Sequence, residues 1–454
     1  MEKAIYYSIR SGLNSAWYMR NAHQRRALMF ILVFVLLLAL WVVSSDSTAK
    51  GATLIYHQMS EPSWMQLVAD VPTFHVMAVA DNDDFNEAAF KGSPNNANVA
   101  APGGGGGEKK KQRVSAFAEA TLHVTVEGGG GRGVLRSSSS KPRFSIEWKS
   151  VNILKSGYVH DGRGLELSTL QFWNGARLFS CDDHTGIVYE IVLEEGLAPR
   201  LVPRHILSDG DGRSSTGMRC EWCTTKGDFM MIGSTGHPWI HEKTGAVVNH
   251  HPLWVKMISP LGVVKHIDWA APYEKMRAAM GIGDTGYLIH ECGLWSTKWN
   301  RWYFIPRHVS NTPYRPGDEH QHGSTAIIIA DASFKKIVVS PLQSTANPTA
   351  GVTDCKFVPN GRDREIIVIK TDESKATWTT PTPTTPTPIK GDKNKKKKSS
   401  GEDPNIASSS SSGGFQSYIS IINTDGEVLM EDMPMPAGWK FEGVELRPII
   451  HSEG

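Results

Sequence analysis

Outside its low-complexity stretches the chain is written in short runs of β-branched and aromatic residues separated by tight-turn signals. LQFWNGARLFS, GIVYEIVL, GDFMMIG, RWYFIPR, STAIIIA, KKIVVS, EIIVIK and QSYISIIN are such runs, with WNGA, DHTG, EKTG and NTDG among the turns. Runs of this length bounded by Asn, Asp and Gly read as antiparallel strands joined by hairpin turns. TLHVTVE (121–127) and RFSIEW (143–148) flank a glycine-rich insert and read as the arms of one hairpin. Helical text is scarce, and APYEKMRAAMGIG (271–283) is the best candidate for one short surface helix. The expected class is all-β.

A weak repeat overlies the strands. GLELSTL, GMRCEW, GYLIHEC, GVTDCKF and FEGVEL each set Gly or Ser beside an acidic or hydroxyl residue and apolar neighbours. With Ser168, Glu221, Glu291, Asp354 and Glu445 as reference points the gaps are 53, 70, 63 and 91 residues, and the last contains a 41-residue insert, 374–414. Units of 50–60 residues with about four strands each describe a β-propeller, here of five blades. The first strand of a propeller blade lines the central channel, where a carboxylate is costly unless its charge is compensated. Five inward oxygen ligands suit Ca²⁺, which takes six to eight at flexible angles. Alternatively, each acid pairs with a nearby arginine or tops a strand.

Three segments cannot bury a core: 91–113, 127–140 and 374–414, the last holding TTPTPTTPTP, KNKKKK and a Ser-Gly tail. The formal charge of +2 gives no general pull toward nucleic acid. Five cysteines, 181, 220, 223, 292 and 355, are too few and scattered to suggest a disulfide framework, and the lone Cys220-x-x-Cys223 pair lacks partners for zinc. ALMFILVFVLLLALWVV (27–43) would span roughly 26 Å as a helix, enough for a thin bilayer. Arg20, Arg25 and Arg26 precede it and no basic residue comes after it before Lys50. The positive-inside rule then makes 1–26 a cytoplasmic tail, 27–44 a signal-anchor, 45–70 a stem and 71–450 a luminal domain. A cleaved signal peptide is the rival, though 26 residues is long for its charged region.

GRGLELSTL, LFSCDDHTGIVYEI, HILSDGDG, MRCEW, GYLIHE, RWYFIPR, CKFVPN and FEGVEL together resemble the calcium-activated nucleotidase, or soluble apyrase, family. The resemblance covers 141–372 and 415–446, with a weaker extension back to about residue 73. It implies a five-bladed propeller with Ca²⁺ on its axis that hydrolyses nucleoside di- and triphosphates, UDP and GDP above ADP and ATP. It fits a single-pass protein of the Golgi or endoplasmic reticulum, and leaves dimerisation open. Carried over, the metal positions are Ser168, Glu221, Glu291, Asp354 and Glu445. Where the family has Ser-Ser this chain has Thr353-Asp354, so either residue could be the fourth ligand. ADNDDFN keeps Asp81 and Asp83 of an Asp-Leu-Asp stretch and loses the family's residues beyond it.

Phosphoanhydride hydrolysis needs cations on the phosphate oxygens and an oriented water. The resemblance places Arg163 and Arg307 at the channel mouth, where a planar guanidinium suits phosphate. Asp81, Asp83 and Glu166 are candidates to position the water. Trp239 could stack on a nucleobase or be a buried propeller tryptophan. Of the adjacent pair in LFSCDDHTG, Asp182 is expected at the substrate and Asp183 in the turn. No GxxxxGK[ST] run is present, so a P-loop is excluded. A calcium-stabilised propeller that only binds a partner is the alternative to an enzyme.

Overall fold

The computed structural model describes residues 73–82, 113–126, 142–158, 163–374 (except 242–243, 284, 316 and 344–346), 377–378, 411–412 and 415–449. Five four-stranded antiparallel sheets make up this part of the chain. Blade 1 contains β1 (Thr73–Asp81), β2 (Arg113–Val126) and β3 (Pro142–Ser156), and blade 2 contains β4 (Gln171–Trp173), β5 (Arg177–Cys181), β6 (Ile187–Val192) and β7 (Arg200–Ile206). Blade 3 is β8 (Trp222–Lys226), β9 (Phe229–Gly233), β12 (Trp254–Ile258) and β13 (Val264–Asp268), with a hairpin of β10 (Trp239–Ile240) and β11 (Val247–Asn249) inserted. Blade 4 is β14 (Tyr287–Ser296), β15 (Arg301–Ser310), β16 (Ala326–Asp331) and β17 (Ile337–Pro341). Blade 5 is β18 (Gly351–Phe357), β19 (Glu365–Asp372), β22 (Gln416–Asn423) and β23 (Val428–Pro434), with β20 (Thr377–Trp378) paired to β21 (Ser411–Ser412). The last strand, β24 (Lys440–Pro448), pairs with β1 and supplies the missing inner strand of blade 1.

The inner strands β24, β4, β8, β14 and β18 each touch the next around a closed ring. Blades stack face to face, which explains why their middle strands are apolar on both sides. In β19, Ile366 and Val368 join the core shared with blade 4, while Ile367 and Ile369 join the core shared with blade 1. The period-2 alternation of a strand thus serves two neighbours. Between blades 3 and 4 the core is aromatic, with Trp222, Trp269, Trp302 and Phe304 in mutual contact.

The expected hairpin of β2 and β3 is present, and the one described α-helix, α1, is Ala270–Ala279. The cysteine expectation is overturned. Cys181 pairs with Cys220, and Cys292 with Cys355, at Cα separations of 6.0 and 5.3 Å. Residues far apart in sequence meet because each pair bridges adjacent blades, a proximity that spacing along the chain cannot display. Cys223 remains a buried thiol. No helix among the described residues is long and apolar enough to cross a membrane. The proposed anchor 27–43, the stem and Asp83 lie outside the described residues.

Candidate active site

Irregular strand pairing places the polar groups. In blade 4 Ile289 pairs with His308, His290 with Pro306 and Cys292 with Ile305, so Arg307 and Glu291 have no ladder partner. In blade 5 the register slips at Thr353, and in blade 1 at Glu442. In blade 3 Glu221 donates its N–H to Gly233, the residue that also faces Trp222. A bulge inserts one residue and re-aims its side chain. Here three inner strands carry one at the level of the same ionic cluster.

Arg307 is the hub of that cluster. Its guanidinium donates to Glu291 and Glu373, each at 2.5 Å, and to Glu442 at 3.0 Å. Gly351 makes room for it, since a Cβ there would lie 2.5 Å from Arg307 Cγ. Lys440 extends the network, reaching Asp81 at 2.5 Å, Glu442 at 3.3 Å and Glu373 at 3.9 Å. Asp81 in turn lies with Glu166 and Asp183, one oxygen of each within 4.8 Å of the others. Arg163 grips Glu166 with two bonds, 2.6 and 2.9 Å. Arg219 sits 3.7 Å from Asp183 and covers the Trp239 ring at 5.1 Å.

Burial sets the protonation behaviour of these acids. It pushes Glu221 up to about 7 and raises Glu291 well above the usual carboxylate range, with Arg307 pulling the other way. Burial and then repulsion from Glu166 raise Asp183 well above that range. Burial would raise Glu373 too, but Arg307 and Lys440 outweigh it and hold Glu373 well below its ordinary value. The Arg307 guanidinium resists its own desolvation because three acids surround it, so its pKa lies well above the ordinary value.

A family model described as apyrase matches residues 129–389. The chain belongs to the apyrase family. It is 40% identical over 250 residues to soluble calcium-activated nucleotidase 1 of Mus musculus, which covers 55% of this chain and 60% of that protein. An apyrase of Cimex lectularius is 37% identical over 55% of this chain and 67% of its own length. An apyrase of Phlebotomus duboscqi is 36% identical over 69% of this chain and 80% of its own length. The chain thus aligns with about three-fifths of the mouse relative.

The donor set of this apyrase-family chain fits a hard dication. Asp81, Glu166, Asp182, Asp183, Glu221, Glu291, Glu373 and Glu442 are all buried, and five cations, Arg113, Arg163, Arg219, Arg307 and Lys440, face them. The acids outnumber these cations by three, and burial raises the proton affinity of Asp183, Glu221 and Glu291, so keeping all eight ionised would take a further cation. Ser168 adds a fully buried hydroxyl that has no hydrogen-bond partner among the described residues. An all-oxygen set of Ser, Glu and Asp suits Ca²⁺ or Mg²⁺ better than Zn²⁺, whose sites are built mainly on Cys and His.

Of the five expected metal positions, the structure gathers Glu221 and Glu291 near the Arg307 hub, with Ser168 leading into the neighbouring inner strand β4. Asp354 and Glu445 are engaged elsewhere. Asp354 accepts from Cys355 N–H, Val444 N–H and the Lys356 ammonium, and Glu445 accepts from Phe172 and Leu446 N–H. The acid at the hub is Glu442, three residues earlier in β24. In β18 the bulged residue is Thr353, whose hydroxyl donates to the carbonyl of Phe441 at 3.0 Å. A one-residue bulge exchanges the faces of a strand, so spacing alone does not tell which neighbour faces the cluster there.

It is Asp182 whose carboxylate makes the hydrogen bonds of the turn. Asp182 accepts from Thr185 N–H and hydroxyl at 2.8 and 2.6 Å, from Glu166 N–H at 3.1 Å, and pairs with buried Arg113 at 3.0 Å. It builds the turn, and Asp183 joins Asp81 and Glu166. Sequence reasoning did not single out Glu442, Glu373, Lys440 or Arg113, and of these only Glu442 carried a visible signal, as the first glutamate of FEGVEL.

Proposed function

We propose that the chain is a Ca²⁺-dependent hydrolase of nucleoside di- and triphosphates, UDP and GDP foremost. The observation that carries this is the Arg307-centred cluster of buried acids and cations in a chain of the apyrase family. Ser168, Glu221, Glu291 and Glu442 would hold the ion, with Thr353 beside them, and bound Ca²⁺ would supply charge neutralisation for the phosphate oxygens. Arg163, half-buried beside Glu166, would offer its guanidinium to the phosphate, and Arg307 would add positive charge from within its cluster of acids. Lys440 adds a third positive group beside Asp81. Burial and the neighbouring Glu166 raise the proton affinity of Asp183, which strengthens it as a base for a proton of the attacking water. Trp239, half-buried and capped on one face by Arg219, offers a ring near this trio for a nucleobase.

The setting we propose is the lumen of the secretory pathway, Golgi or endoplasmic reticulum, with residues 27–43 as the anchor. Two disulfides support an oxidising compartment, independently of the charge asymmetry around that segment. The test is phosphate release by the full chain in detergent from UDP, GDP, ADP and ATP, with Ca²⁺ or excess chelator. Calcium-dependent release from UDP and GDP that is lost in Asp183→Asn supports the reading. Equal release in chelator, or none from a folded protein with calcium, overturns it.

A further inference from the structure

Beside the Arg307 hub stands a second group of donors with different chemistry. His308, His320 and Glu373 are all buried, and one donor atom of each lies within 4.8 Å of the others. A point equidistant from three such atoms is at most roughly 2.8 Å from each, so shifts under about 1 Å reach the 2.0–2.2 Å bonds of a transition metal. His308 follows Arg307 in β15, and His320 comes from a 3-10 turn, Asp318–Gln321, in the β15–β16 connection. The two rings stand edge to face, with centroids 5.8 Å apart.

The first ring is already in the state a metal requires. His308 Nδ1 lies 3.0 Å from the carbonyl oxygen of His322, which can only accept, so Nδ1 carries the proton and Nε2 keeps its lone pair. Metal-binding imidazoles are oriented by this kind of bond from the other nitrogen. His320 Nδ1 lies 3.0 Å from Glu373 Oε2, so the second imidazole and the carboxylate already converge. Two imidazoles with one carboxylate form a borderline-soft set, unlike the all-oxygen set of Ser168, Glu221, Glu291 and Glu442.

We propose that His308, His320 and Glu373 form a site for a transition-metal dication of the Zn²⁺ class, distinct from the oxygen-lined site beside it. The two are coupled through Glu373. Its Oε2 accepts from Arg307 Nη2 at 2.5 Å as well as facing His320, so a metal bound there competes with Arg307 for the same oxygen. Occupancy therefore releases Arg307 from one of its three acids and slows turnover.

Co²⁺ serves as the probe, added to the full chain in detergent at saturating Ca²⁺. Visible absorption of low-coordinate Co²⁺ should saturate at one ion per chain and be quenched by Zn²⁺ but not by further Ca²⁺. His320→Gln should weaken binding at least tenfold, while His251→Gln, at a histidine paired with Asp209 at 3.2 Å, should bind as the parent does. Zn²⁺ should lower phosphate release at least tenfold in the parent and less than twofold in His320→Gln. X-ray absorption at the zinc edge of the parent should show two imidazoles and a carboxylate, a reading that needs no variant to fold. An all-oxygen zinc shell, no cobalt absorption, or absorption unchanged in His320→Gln overturns the proposal. The effect on turnover rests on the hydrolase reading, whereas metal binding does not, so the two can fail separately.

Discussion

Replacing Arg307 by Met should reveal how much of this fold is held by charge. The side chain is buried and is the shared partner of Glu291, Glu373 and Glu442. Removing one member of a buried ion pair typically costs about 3–5 kcal/mol, because the partner is left uncompensated. Unfolding entropy near 2.1 cal/mol/K per residue over roughly 300 residues gives about 0.6 kcal/mol/K, so the melting temperature should fall by about 5–8 °C. The loss should depend on pH. Glu373 is held well below its ordinary pKa, so its contribution is complete above the unfolded value near 4.5 and is lost as pH falls through the folded one. Without Arg307 only Lys440 and His320 still hold Glu373 down, so the contribution is smaller at every pH. The gap between parent and variant should therefore be widest near pH 7 and close as acid protonates the cluster. Tryptophan-fluorescence melts of both full chains in chelator, at pH 7 and at a pH below 4.5 where the parent still folds, measure this. A gap that is the same at both values, or below about 1 kcal/mol, refutes the electrostatic account and leaves only packing.

Other substitutions separate neighbouring residues. Glu442→Gln should lower calcium-dependent phosphate release at least ~100-fold and Glu445→Gln less than ~10-fold, and the opposite order would return the metal position to Glu445. Asp182→Ala should cost about 3–5 kcal/mol in a urea melt, since it strands Arg113 and two N–H groups, whereas Asp183→Asn should melt like the parent yet lose activity ~100-fold or more. His290 is buried against Tyr273 and Phe304, and burial pushes it down to about 3 from 6.5. Its neutral form supports the fold fully above pH 6.5 and less as pH falls toward 3, so His290→Phe should flatten that acid slope by up to roughly 1.4 kcal/mol per pH unit.

Much of the scaffold is legible in the sequence because a propeller repeats itself. Middle strands such as EIIVIK are apolar on both faces, turn dipeptides mark each hairpin, and the motif around Glu221 and Glu291 recurs at blade spacing. The site is only half legible for a physical reason. Its donors sit on bulges, where one extra residue moves a side chain to the other face, and nothing in FEGVEL or GVTDCKF shows which residue is the extra one. The same holds for Asp182 and Asp183, adjacent residues on opposite sides of one strand end. The cysteine pairing is hidden in the sequence because the partners are neighbours only once the blades close into a ring.

The position of β24 has a consequence for biosynthesis. Glu442 and Lys440 ride on the strand that completes blade 1, so a nascent chain holds every other acid of the cluster before the ring can shut. Until then Arg307 lacks one of its partners and the inner edge of β1 is unpaired. A ribosome stalled before residue 440, or a mutation that truncates there, would yield four finished blades and no working centre. Ring closure is then also the step that brings Lys440 and Glu442 to the Arg307 cluster.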